Sequence, residues 1–214
     1  MPIEKHNSRP ENLNIEKFKL KDGSEIILIK GYGKSYGVSV DRFKNLYIPS
    51  FDRGFLYKIF PNLKDYEVFD IKENELIRVS KNESPSYKKG SFIQPHEVSF
   101  DNLNNLYVTE MGLGDGKLGG QVTKISANNK LIAKIGSDAN DGKGLDGPTV
   151  SHPADDGYLY VSEWRADKII KYNNENIIEN IIGIKNKKNK NLPDCLNKPH
   201  ALRLSSKKEI YIAD

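Results

Sequence analysis

Cysteine is almost absent from this sequence. The 214 residues include a single cysteine, Cys195, which has no second cysteine in the chain with which to form a disulfide. This excludes a fold held together by internal disulfides and a zinc cluster built on several thiolates. Any metal site in this chain would therefore use histidine and oxygen ligands.

Long hydrophobic runs are absent as well. No segment approaches the roughly 20 consecutive apolar residues that cross a bilayer, and residues 1–10 lack the apolar core of a signal peptide. We therefore expect no membrane association and, if Met1 is the true start, a cytoplasmic protein; the alternative is that an upstream leader is missing. Residues 1–12 are predicted to be an N-terminal extension of one domain, residues 13–214.

The excess of positive charge is small. Lys and Arg together number 33 against 29 acidic residues, and the one dense basic run, residues 185–190, has the composition of a solvated loop. Domains that bind nucleic acid concentrate basic residues on one face and often place stacking aromatic residues between them. The sequence therefore predicts no nucleic-acid partner.

One pattern, in contrast, is present four times. Each copy has a short β-type segment, a polar turn rich in Asn, Asp, Gly or Lys, and a second β-type segment that contains a tyrosine. The four tyrosines are 60, 53 and 51 residues apart, a spacing typical of repeat folds. The copies are residues 37–48, 95–108, 148–161 and 199–212, with the tyrosines at Tyr47, Tyr107, Tyr160 and Tyr211.

Two more β-type segments follow each of the first three copies. Their β-branched and aromatic residues recur at every second position, and turn residues separate the segments, so no helix is expected. Four strands in about 50 residues make one blade of a β-propeller, and the predicted fold class is an all-β, antiparallel propeller. The third strands are predicted at residues 54–60, 121–125 and 168–172, and the fourth at 75–79, 130–135 and 177–182.

The two ends of the chain each resemble half a blade. Residues 14–20 and 25–29 are predicted to be an outer pair of strands, and residues 210–214 end an inner pair. These halves could pair and close a four-bladed ring, as propellers do to hide their edge strands. The interpretation that we favour is three full blades plus two half blades, as part of a six-bladed ring.

Two histidines occupy equivalent positions in this repeat. His96 and His200 each follow a proline at the start of an inner strand, where the other two blades have Tyr36 and Thr149. Inner strands begin beside the central channel, so both imidazoles could converge on one metal ion, with a third ligand still required. The alternative is that both are ordinary polar residues of the channel.

Two features of the last three copies resemble NHL-repeat propellers. The copies begin in the order Pro-His, Pro-Thr, Pro-His, and they continue as Tyr-Val-Thr-Glu, Tyr-Val-Ser-Glu and Tyr-Ile-Ala-Asp after residues 106, 159 and 210. More narrowly, the pattern is similar to the peptidyl-α-hydroxyglycine α-amidating lyases, six-bladed propellers with a catalytic zinc on three histidines. The resemblance runs from about residue 37 to residue 214 and implies a lyase that cleaves a C–N bond at the channel.

The resemblance also implies roles for particular residues. His96 and His200 match two zinc-ligand motifs, with the third expected beyond residue 214, and Arg53 matches the arginine that binds substrate near the metal. The carbonyls of Val38 and Val98 match positions that hold a structural calcium. Two features of that family are absent: its paired cysteines, and a tyrosine where this chain has Trp164 and Arg165.

Two other functions agree with the same pattern. One is a non-catalytic NHL-type interaction scaffold, in which the histidines are incidental. The other is a calcium-dependent sugar-lactone hydrolase, which would use the acids Glu110 and Glu163; a repeated acid in this position is, however, more typical of a structural carboxylate that accepts backbone N–H groups. The expected partner is a peptide or small molecule at the channel mouth, or a protein.

Overall fold

The computed structural model describes residues 14–79, 90–113, 119–137, 144–183 and 195–214. The described residues form antiparallel strands and no helix, and therefore no helix that could cross a membrane. The fold is all-β, as predicted. The proposed extension at residues 1–12 and the basic run at residues 185–190 lie outside the described residues.

Seventeen strands occur in the described residues, and each pairs with its neighbour in the sequence within one sheet. This up-and-down order is that of propeller blades. The strands are β1 (Asn14–Lys19), β2 (Glu25–Lys30), β3 (Ser39–Val40), β4 (Leu46–Ser50), β5 (Phe55–Ile59), β6 (Tyr66–Lys72), β7 (Glu75–Val79), β8 (Pro95–Phe100), β9 (Leu106–Glu110), β10 (Gln121–Ile125), β11 (Leu131–Ile135), β12 (Pro148–Pro153), β13 (Leu159–Glu163), β14 (Lys168–Tyr172), β15 (Ile178–Ile182), β16 (Ala201–Leu204) and β17 (Ile210–Ala213).

The strands form three full blades, which we number in chain order. Blade 1 is β3 to β7, blade 2 is β8 to β11 and blade 3 is β12 to β15. The pairs β1–β2 and β16–β17 are separate two-stranded sheets, and we call the second of these blade 4. Within the described ranges these two pairs share no ladder, so the alternative in which the two halves pair is not found there.

Blade 1 differs from the prediction in its outer strands. Residues 75–79 were expected to be its fourth strand, but the fourth strand is Tyr66–Lys72 and residues 75–79 form a fifth. The turn between them has Glu73 and Asn74 at φ of 49° and 66°, the left-handed geometry of a tight hairpin. The fifth strand also joins blade 2, where the Leu76 N–H donates to the Asn129 carbonyl at 2.8 Å.

The polar turns of the repeat are built by side-chain hydrogen bonds. In blade 1 the Asp41 carboxylate accepts the Asn45 backbone N–H at 2.9 Å and its side-chain amide at 2.8 Å. In blade 2 Asp101 does the same for Asn105. An aspartate that accepts amides of the following residues favours a turn over continued strand, which explains the turn between the first two strands of blades 1 and 2.

The hydrophobic cores lie between successive blades. Side chains from blades 1 and 2 form one buried cluster, and side chains from blades 2 and 3 form another. The inner strands are neighbours in space, with β8 beside both β4 and β12, and β12 beside β16. The starts of the inner strands are therefore brought together at one end of the channel.

Candidate functional site

A β-bulge marks the start of the inner strand in blades 2 and 3. Pro95 pairs with Glu110 and Glu97 pairs with Thr109, so His96 is the extra residue on its strand. Thr149 is the extra residue in blade 3 in the same way. A bulge re-aims the side chain that it carries and is common next to functional sites. We call Tyr36, His96, Thr149 and His200 the slot residues.

The backbone before each slot residue also repeats. Gln94, Gly147 and Lys198, each two residues before the slot, have φ of 54°, 65° and 60°. This left-handed residue turns the chain just before the proline, and the proline has no N–H to donate to a ladder. The slot residue therefore enters from a sharp turn in three of the four blades.

The repeated acid at the end of the second strand holds this turn in place. Glu110 accepts the Ile93 N–H at 2.7 Å, Glu163 accepts the Asp146 N–H at 2.6 Å, and Asp214 accepts the Asn197 N–H. Each of these amides lies three residues before a slot residue. The carboxylates thus make the structural contacts that were predicted. The alternative of a calcium-dependent sugar-lactone hydrolase needs them as cation ligands and gains no support from these bonds.

Three of the slot residues form a compact group of rings. Tyr36 stacks on His96 with the ring centroids 4.5 Å apart and the planes at 4°. The His96 and His200 rings are 5.1 Å apart, and Tyr36 and His200 are 6.5 Å apart. Thr149 does not present its hydroxyl to this group, because that hydroxyl contacts Ser162 at 2.9 Å and the Pro199 carbonyl at 3.3 Å.

The two histidines differ in their surroundings. His96 is only 3% exposed, whereas His200 is exposed. Burial, and secondly the charge of His200, lower the pKa of His96 to about 4. The His96 ring hydrogen-bonds the Thr149 backbone, while Nδ1 is buried without a hydrogen-bond partner among the described residues. With the ring proton on the nitrogen that donates, Nδ1 keeps a free lone pair.

The low pKa of His96 predicts that the metal-free protein loses stability as the pH falls. The unfolded chain takes up this proton near pH 6.5 but the folded chain only near pH 4. The stabilisation is therefore fully present above about pH 6.5 and is lost between about pH 6.5 and 4, by up to about 3 kcal/mol. Urea unfolding of wild type and His96→Gln across this range measures it; parallel pH profiles would contradict it.

The other predicted site residues are Arg53, Val38 and Val98. Arg53 donates from Nη1 to the Gly31 carbonyl at 3.0 Å, close to Phe51, whose ring is 6.2 Å from His96. The Val98 carbonyl accepts the Ser39 hydroxyl, and Val38 is 59% exposed. Within the described ranges no group of three or more His, Cys, Asp or Glu side chains is placed to hold a metal ion.

Sequence reasoning missed a half-buried ion pair beside the histidines. Arg203 donates from Nη2 to Glu97 Oε1 at 2.7 Å. Glu97 is buried, and burial raises its pKa although Arg203 and His200 oppose that effect. A signal was present, because Arg203 is a charged residue between two leucines of a predicted inner strand and Glu97 directly follows His96.

Comparisons with known proteins give structural likenesses only. No family model matches the chain, and no curated protein matches it significantly. Among solved structures, it resembles virginiamycin B lyase from Staphylococcus aureus with TM-score 0.48 and 13% identity, over 94% of this chain and 67% of that one. A protein of unknown function from Bacteroides caccae gives 0.46 and 12%, over 79% and 66%. A streptogramin B lyase gives 0.47 and 12%, over 95% and 73%. Likenesses this distant do not bear on the function of this chain.

Proposed function

We propose that this protein is a zinc-dependent lyase that cleaves peptidyl-α-hydroxyglycine at the channel mouth. One observation carries the proposal: two imidazoles from blades 2 and 4 lie 5.1 Å apart, and the buried one has an unused Nδ1. A buried polar atom without a partner is costly unless something binds it. A neutral imidazole with a free lone pair is what zinc requires of a histidine ligand.

His96 and His200 would hold the zinc, and they supply two protein ligands. A catalytic zinc usually has three protein ligands and one open position. The third is not among the described residues. By the resemblance to the amidating lyases, the Val38 and Val98 carbonyls would hold a structural calcium. The Val98 carbonyl already accepts the Ser39 hydroxyl, but a carbonyl oxygen has two lone pairs, so this bond does not prevent calcium binding.

Zinc held by these histidines would supply Lewis-acid chemistry toward the substrate hydroxyl. In the proposed reaction the C–N bond of the α-hydroxyglycine would break, the hydroxyl proton would end on the nitrogen, and the products would be a peptide amide and glyoxylate. Arg53, fixed by its bond to the Gly31 carbonyl, would place its positive charge toward the substrate carboxylate. Tyr36, stacked on His96, and Phe51, edge-on to it, would cover His96 from solvent.

The direct test is a synthetic peptide that ends in α-hydroxyglycine. We expect the full chain reconstituted with zinc to release glyoxylate, EDTA to abolish the release, and added zinc to restore it. Bovine serum albumin at the same zinc concentration controls for metal in solution. A protein that binds zinc without releasing glyoxylate would refute the lyase activity. A protein that does neither would fit the alternative of a non-catalytic interaction scaffold.

A further inference from the structure

An ion pair joins the inner strands of blades 2 and 4, close in sequence to the two histidines. Glu97 directly follows His96 in blade 2, and Arg203 lies three residues after His200 in blade 4. The two blades are not neighbours, because β12 of blade 3 packs between β8 and β16. The bond from Arg203 Nη2 to Glu97 Oε1, 2.7 Å long, therefore joins two blades that share no ladder.

The two ends of this bridge are held unequally. Glu97 is buried in a strand that belongs to a four-stranded sheet. Arg203 is in a two-stranded sheet, and its side chain is 58% exposed. Its guanidinium has a second anchor, since Nη1 donates to the Leu202 carbonyl at 2.7 Å. The planar guanidinium of Arg203 thus links the backbone of β16 to the Glu97 carboxylate of blade 2.

His200 has little else to fix it. It is exposed, it precedes the first residue of β16, and its own backbone N–H donates to the Ala213 carbonyl at 2.9 Å. Its side chain has ring contacts with His96 and Tyr36 and, among the described residues, no hydrogen bond that sets its distance from them. The position of β16 relative to β8 consequently decides how far apart the two imidazoles are.

We propose that Glu97 and Arg203 are a positioning pair that sets the separation of the His96 and His200 rings. For its effect on metal binding the inference rests on the proposed function. Neither side chain is a proposed zinc ligand, and the pair acts through the two strands that it joins. Removing a residue that orients a metal ligand commonly weakens metal binding by about 10- to 100-fold.

The first experiment is zinc titration of the full chain by calorimetry. We expect Arg203→Met to weaken zinc binding at least roughly tenfold and Arg203→Lys to recover part of the loss. Lys208→Met is the matched control: it removes one positive charge and one ion pair, to Asp156 at 2.8 Å, from the turn of the same two-stranded sheet. Lys208→Met should leave the affinity within about twofold. Equal losses of zinc affinity in Arg203→Met and Lys208→Met would overturn the proposal.

A second measurement needs no metal and separates this inference from the proposed function. In the metal-free protein the His200 ring lies against the rings of His96 and Tyr36, so its ring protons should have ring-current-shifted NMR signals. Arg203→Met and the near-isosteric Glu97→Gln should both move these signals toward unshifted values, and Lys208→Met should not. If wild type binds no zinc but the signals move, the lyase proposal fails and the positioning role stands. Unmoved signals in both folded variants refute the positioning role.

Discussion

Alanine in place of His96 is expected to abolish the proposed zinc site. Losing a residue that hydrogen-bonds a metal ligand costs about 10- to 100-fold in affinity, so losing one of the two proposed imidazole ligands should cost more than about a hundredfold. His200→Ala should have the same effect, since neither imidazole alone forms a site. Glyoxylate release from the α-hydroxyglycine peptide should fall below detection in both variants at a zinc concentration that saturates wild type.

His152 provides the matched control for this experiment. It is a half-buried histidine of an inner strand, and burial also lowers its pKa, but it lies outside the slot. His152→Ala should retain zinc affinity and activity within about threefold, because it removes no ligand. Circular dichroism and urea unfolding must show that all three variants are folded. Retained zinc in both folded slot variants would overturn the assignment of the ligands.

Alanine in place of Gly54 is expected to cost about 4 kcal/mol in the free energy of unfolding. A Cβ there would lie 2.6 Å from the carbonyl oxygens of both Gly90 and Phe92, which are backbone atoms that cannot rotate away. Overpacking of this kind costs about 1–3 kcal/mol, and the φ of 71° adds about 1–2 kcal/mol for a residue with a Cβ. Urea unfolding at pH 7 measures the loss.

Gly23 separates the two contributions. Its φ is 87°, also left-handed, but nothing lies within 4 Å of the Cβ that alanine would add. Gly23→Ala should therefore cost only the backbone strain, about 1–2 kcal/mol. Similar losses of unfolding free energy at both positions would mean that the segment carrying Gly90 and Phe92 moves to make room for the new methyl group. That segment would then not fix the approach of blade 2 to blade 1.

Much of the fold could be predicted because the repeat itself specifies it. Strands β10 and β14 were predicted with the bounds that they have, from alternating residues between turn signals. The failure to predict strand β6 of blade 1 has a physical cause. Strand β6 has a buried charge, Asp70, at a position where the pattern calls for an apolar residue. That carboxylate accepts the Ser91 N–H at 2.7 Å, a contact 21 residues away that no local pattern reveals.

The site could be predicted only in its components. Alignment of the repeats placed His96 and His200 in one slot, and the structure brings their rings together. The same alignment could not show that Tyr36 stacks face to face on His96, because that contact depends on how blades 1 and 2 pack. Nor could it show the bond between Glu97 and Arg203, which are 106 positions apart.

The acids that hold the turns have a consequence for how this protein could change over evolutionary time. Glu110, Glu163 and Asp214 bind backbone amides, and the turn needs its left-handed residue and its proline, but none of these contacts involves the side chain in the slot. The slot already holds tyrosine, histidine and threonine in different blades. Substitution in the slot therefore leaves the hydrogen bonds that hold the turn intact, and new chemistry could arise at the channel mouth one blade at a time.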